Sequence, residues 1–139
     1  MGQKTQAGFY DYAPGDRTPR PSPVVAEIIE KVSKEFGIER RKISDEEILE
    51  RVMLSLMNVG CEVLREKVAY RASDIDVVYL YGYGFPAYRG GPMFWAEHEV
   101  GLKNALEKLK KYADGKWLTV SPLLEQLVAE GKGFASVGQ

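Results

Sequence analysis

The feature that most limits what this chain folds into is a long apolar periodicity at its centre. Ile48, Val52, Met53, Leu56, Met57, Val63 and Leu64 recur at helical spacing. Ser44, with Glu47 three residues on, forms a capping-box pattern at the start of this run. The pattern predicts a helix to about Glu66, roughly 22 residues and about 33 Å long at 1.5 Å per residue. A helix of that length is the spine of a small domain. Gly60 in its middle costs about 1 kcal/mol against alanine, which close approach of another helix would explain.

Shorter segments flank the spine. Ser22-Pro23 and Gly37 bracket a helix whose apolar stripe is Val25, Ile28, Ile29, Val32 and Phe36, with Ser22 read as supplying the capping hydroxyl. Ser73 and Asp76 repeat the capping pattern before Ile75, Val77, Val78 and Leu80. That segment, Asp74 to Tyr81, reads as a short buried helix, although its β-branched residues also permit a strand. Pro92 begins a helix through Met93, Phe94, Trp95 and Glu97 that Gly101 ends. Leu102, Leu106, Leu109 and Tyr112 define the next, and Ser121-Pro122 to Gly131 the last. The fold class is therefore all-α. Residues 1–21, with Pro14, Pro19, Pro21 and the aromatic group Phe9, Tyr10 and Tyr12, read as an extended interdomain linker, and 22–139 as the helical domain.

Between Gly82 and Pro92 lie four glycines and two prolines in eleven residues, interleaved with three aromatic rings, which demands a shaped loop. It is not a dinucleotide fingerprint. That motif needs Gly-x-Gly-x-x-Gly between a strand and a helix, whereas here Pro86 intrudes, the third glycine is missing and no βαβ alternation surrounds it. Gly90-Gly91-Pro92 at a helix start has two readings, amides that cradle a phosphate or tight packing of loop on helix.

Elsewhere the chemistry is sparse. His98 is the one histidine, so no multi-histidine metal site is available, and its neighbours Glu97 and Glu99 suit a solvated helix face. Cys61 lies on the apolar stripe beside no base and reads as a structural thiol. The groups Glu46-Glu47-Glu50 and Asp74-Asp76 read as first-turn acids that complement helix dipoles. No catalytic, cofactor-binding or metal-binding residue is assigned. The charges, 19 basic and 20 acidic for a net of −1, are interspersed and give no electrostatic reason to expect nucleic acid. No apolar run suffices for a membrane span, and the first residues lack the apolar core of a secretory signal, so the expected location is cytoplasmic.

The run from Arg71 to Trp95, RASDIDVVYLYGYGFPAYRGGPMFW, resembles the C-terminal domain of multifunctional β-oxidation enzymes, which join an enoyl-CoA hydratase to a 3-hydroxyacyl-CoA dehydrogenase. The resemblance continues upstream through Ile48–Asn58 and Lys4–Tyr12 and downstream through Pro122–Gly131. It implies an all-α domain like the C-terminal domain of 6-phosphogluconate dehydrogenase. It also implies that Asp74, Asp76, Gly82, Gly84, Pro86, Gly90, Gly91 and Pro92 form a family loop with a packing role. The chain looks like the second helical repeat of such an enzyme. Its partners would be a Rossmann domain and a first helical repeat, the parent's cofactor NAD and its substrate an acyl-CoA, with a homodimer as a further partner of the isolated piece. In the repeat that lines the family's active site an asparagine precedes the arginine of the long helix. Here Glu50 precedes Arg51, so that substrate contact does not carry over. Val59 stands where the family pattern leads one to expect glutamate after Asn58. Because Met1 falls within linker-like sequence, an excised piece is expected. The competing reading is a stand-alone helical interaction module.

Overall fold

A computed structural model describes residues 2–138 of the chain. The ends of the expected linker and domain, Met1 and Gln139, lie outside the described residues. The chain divides into two compact units, Met1–Lys42 and Ile43–Gln139. The sequence reading puts the division at 21/22, so the helix after Ser22 groups with the linker-like residues and not with the larger helical body.

In the first unit a two-residue strand β1 (Tyr10–Asp11) pairs antiparallel with β2 (Arg20–Pro21), and helix α1 (Pro23–Glu35) follows directly. The Asp16 carboxylate shapes the turn between the strands, accepting from the Thr18 amide at 2.9 Å and the Arg20 guanidinium at 3.1 Å. Ser22 stands at the N-cap, but its hydroxyl makes no capping bond. The helix starts because Pro23 fixes φ at the first position, not because Ser22 accepts an amide. None of α1 is buried, and Ile28, Ile29, Val32 and Phe36 stay exposed. The periodicity is real, yet this unit alone does not cover the stripe it creates.

The second unit is built on α2 (Asp45–Arg65), with Ser44 Oγ accepting from the Glu47 amide at 3.2 Å as the capping box requires. Around it pack α3 (Ala72–Gly82), α4 (Pro92–Trp95) continuing as a π-helical turn over Ala96–Val100, α5 (Leu102–Tyr112) and α6 (Pro122–Glu130). The core joins Leu54, Met57, Cys61 and Leu64 of α2 to Met93, Leu109 and Leu124. Phe134 is buried in the same cluster. Gly60 faces Met93: a Cβ there would collide with its sulfur, so the glycine admits α4 against the spine. The strand alternative for Asp74–Tyr81 is excluded, and the described residues are all-α apart from the β1–β2 pair. No helix among them is long and apolar enough to cross a membrane.

Candidate functional site

The loop between α3 and α4 is organised by one side chain. Asp76 is buried, 7% exposed. One of its carboxylate oxygens accepts from the Met93 amide at 2.8 Å and the other from the Phe94 amide at 3.1 Å. Those are free amides of the first turn of α4, so Asp76 caps a helix that begins sixteen residues after it. This corrects the reading of Ser73 and Asp76 as a local cap. Helix α3 starts two residues earlier, with Arg71 at its N-cap. There the Asp74 carboxylate accepts from the Arg71 amide at 3.1 Å and binds its guanidinium. Asp74 is thus a first-turn acid, whereas Asp76 points across to the next helix.

The glycines fit this arrangement unequally. Gly91 has φ of +113°, and a Cβ on it would collide with the Asp76 carboxylate. Gly90, with φ of +73°, lies against the Phe94 ring, where a Cβ would sit 2.6 Å from Cδ1. Gly84 needs its glycine for conformation, at φ +69°, with open space beside it. Gly82 ends α3 at negative φ with nothing near, so no local constraint explains it. Pro86 precedes a single 3-10 turn over Ala87–Arg89, and Pro92 is the first residue of α4. Of the two readings of Gly90-Gly91-Pro92, packing prevails, because the amides an external phosphate would use already hold Asp76.

Burial raises the Asp76 pKa above the ordinary carboxylate value. The two amide bonds oppose that shift, and the nearby Glu97 charge adds to it. A cavity of about 380 Å³ lies beside this carboxylate, lined among others by Arg71, Ser73, Glu97, His98 and Phe134. Its charged groups are engaged with the protein itself. Arg71 binds Asp74, Glu97 accepts from the Phe134 amide at 3.2 Å, and the His98 ring lies 4.3 Å from that of Phe94. Among the described residues no hydroxyl or thiol hydrogen-bonds His98, and no three His, Cys, Asp or Glu side chains converge as metal ligands. Burial pushes the Cys61 thiol up to about 12, far from the thiolate a nucleophile needs.

Two polar anchors escaped the sequence reading. Asn58, buried on the spine, donates to the Thr119 carbonyl and accepts from the Ser121 amide, both at 2.8 Å, while Ser121 Oγ bonds Glu62. Together they hold the start of α6 against α2. Glu50 accepts from Tyr112 Oη at 2.7 Å and pairs with Lys108, tying α2 to α5. Lys108, and then Tyr112, hold the Glu50 carboxyl below its ordinary range. A polar residue within the buried stripe was the available signal for Asn58. The departure at Glu50 therefore has a structural use here, and Val59 points outward, 60% exposed.

No family model matches the chain. Over 136 residues, 94% of this chain, it is 47% identical to a peroxisomal bifunctional enzyme of Danio rerio and 44% identical to that of Homo sapiens. It is 38% identical over the same length to a peroxisomal fatty acid beta-oxidation multifunctional protein, AIM1, of Arabidopsis thaliana. The chain spans 19% of the length of each of these relatives, and it matches their C-terminal part. All three carry peroxisomal names, and a further relative from Brassica napus is glyoxysomal. These names overturn the cytoplasmic expectation. That expectation drew on a missing apolar leader, which speaks to secretion and says nothing about short receptor-read addresses of the kind that direct proteins to peroxisomes.

Proposed function

From a chain that belongs, through their C-terminal part, to the multifunctional enzymes of fatty-acid β-oxidation, we propose a structural and docking role within such an enzyme. The parent reaction is NAD-dependent oxidation of a (3S)-3-hydroxyacyl-CoA to the 3-ketoacyl-CoA, with hydration of a 2-enoyl-CoA on the same polypeptide. NAD and acyl-CoA are held by the parent's other domains. One observation carries this reading: similarity extends over 94% of the chain yet engages only 19% of a bifunctional enzyme. The polar groups of the loop are consistent with it, since Asp76, Asp74 and Glu97 are spent on helix ends and turns. A rigid helical body fixes the geometry of domains packed on it, and small displacements of reacting groups lower rates by large factors.

The test is direct. The isolated chain, mixed with NAD and a 3-hydroxyacyl-CoA, is expected to form no NADH above the buffer blank and to give no calorimetric signal for NAD at micromolar levels. Turnover in a preparation free of full-length enzyme would overturn the reading.

A further inference from the structure

Helix α3 distributes Ile75, Val77, Val78, Leu80 and Tyr81 around its circumference between Ser73, Asp74 and Asp76, yet Asp76 is its one buried residue. Apolar side chains gathered on a helix face are ordinarily covered by a neighbouring element. Here its outer side faces solvent, with Val77 52%, Val78 55% and Tyr81 89% exposed. Beside it a groove of about 470 Å³ runs between the end of α2 and α3, lined by Val63, Val68, Tyr70, Ile75, Val78 and Tyr83. Val68, Tyr70 and Tyr83 are each more than 70% exposed. Asp74, also on the groove, is bound to Arg71, so the surface presents rings and methyl groups with its nearby charge neutralised internally.

We infer that this groove and the outer side of α3 form the docking surface for the remaining polypeptide of the parent enzyme, which inserts uncharged aliphatic and aromatic side chains between Tyr70, Tyr81 and Tyr83. The inference rests on the reading above and adds the surface to it. Area supports a specific interface. Three largely exposed tyrosines offer roughly 450–600 Å², at about 150–200 Å² per ring. The exposed valines bring the face near the roughly 800 Å² per partner of a standard interface. Chain length selects the occupant. The relatives carry about four fifths of their length outside the matched 19%. A surface on the same polypeptide acts at an effective concentration of about millimolar, which a second copy does not reach at ordinary enzyme concentrations.

Nitration by tetranitromethane, read residue by residue by mass spectrometry, tests this on the full-length polypeptide and on the isolated chain, with buried Tyr112 as a slow reference in both. Tyr81 and Tyr83 are expected to react readily in the isolated chain at submicromolar concentration and at least ten-fold more slowly in the full-length enzyme. Val78→Asp in the full-length enzyme should restore their reactivity while the helical circular dichroism is kept. Equal rates in the two proteins would overturn the inference, and so would protection already present in the isolated chain, which would assign the cover to the chain itself. Protection that vanishes on dilution of the full-length enzyme would assign it to a second copy and equally overturn it. Dehydrogenase activity measured on the same samples separates the two claims: an active full-length enzyme with reactive Tyr81 refutes the surface and leaves the proposed function standing.

Discussion

Replacing Asp76 with alanine removes two amide bonds to a buried carboxylate, at 2.8 and 3.1 Å, and leaves the first turn of α4 without its cap. Hydrogen bonds to a charged group contribute about 1.5–3 kcal/mol each, and a lost N-cap costs about 0.5–2 kcal/mol. The desolvation that raises the Asp76 pKa works against this gain, so the net loss should be about 2–3 kcal/mol. For a unit of this size that is a fall in melting temperature of roughly 10 °C or more. Urea denaturation followed by far-UV circular dichroism measures it, and a loss under about 0.5 kcal/mol would refute the capping role. The pH dependence has a definite sign. Because the folded pKa lies above the unfolded 3.8, the folded state holds the Asp76 proton more tightly. The stabilisation this gives is absent at neutral pH and grows as pH falls through the folded pKa towards 3.8. The penalty of Asp76→Asn should therefore widen on acidification. Glu50 is the opposite case: its pKa is lowered, so the penalty of Glu50→Gln should shrink as pH falls from 4.5 through the folded pKa.

Other outcomes follow from the same contacts. Gly91→Ala should lose about 2–4 kcal/mol through strain at φ +113° and collision with Asp76, while Gly82→Ala, with open space around it, should stay within about 0.5 kcal/mol of the parent in the same urea assay. Asn58→Ala should lose about 2–3 kcal/mol, since it strands the buried Ser121 amide, and proton exchange at that amide should quicken. At tens of micromolar the isolated chain should self-associate weakly in sedimentation equilibrium, and Tyr81→Lys should abolish the association without loss of helical signal.

Much of the fold was legible because helical periodicity and caps are local. Ser44 with Glu47, Pro92, Gly101 and Gly131 each mark an element end where the chain turns. Contacts between distant residues were not legible in this way. The capping pattern fits both the Arg71–Asp74 and the Ser73–Asp76 frames, and only the fold shows that Asp76 reaches the amides of Met93 and Phe94. Periodicity likewise announces a stripe without saying what covers it. The stripe of α5 is buried, that of α2 is buried at Met53, Met57 and Leu64 but exposed at Ile48 and Val52, and that of α1 is not buried. Glu50 read as a first-turn acid because its partners, Lys108 and Tyr112, lie 58 and 62 residues away.

In the proposed role this chain contributes geometry to a larger enzyme and no catalytic group of its own. Its most direct test is reconstitution: the full-length enzyme is made without this segment, and NADH formation from a 3-hydroxyacyl-CoA is followed before and after the separate chain is added. Without the segment the dehydrogenase rate should fall at least ten-fold below that of the intact enzyme and be restored in part and saturably by the added chain, and weakly if at all by its Asp76→Ala variant. Full activity without the segment would contradict it.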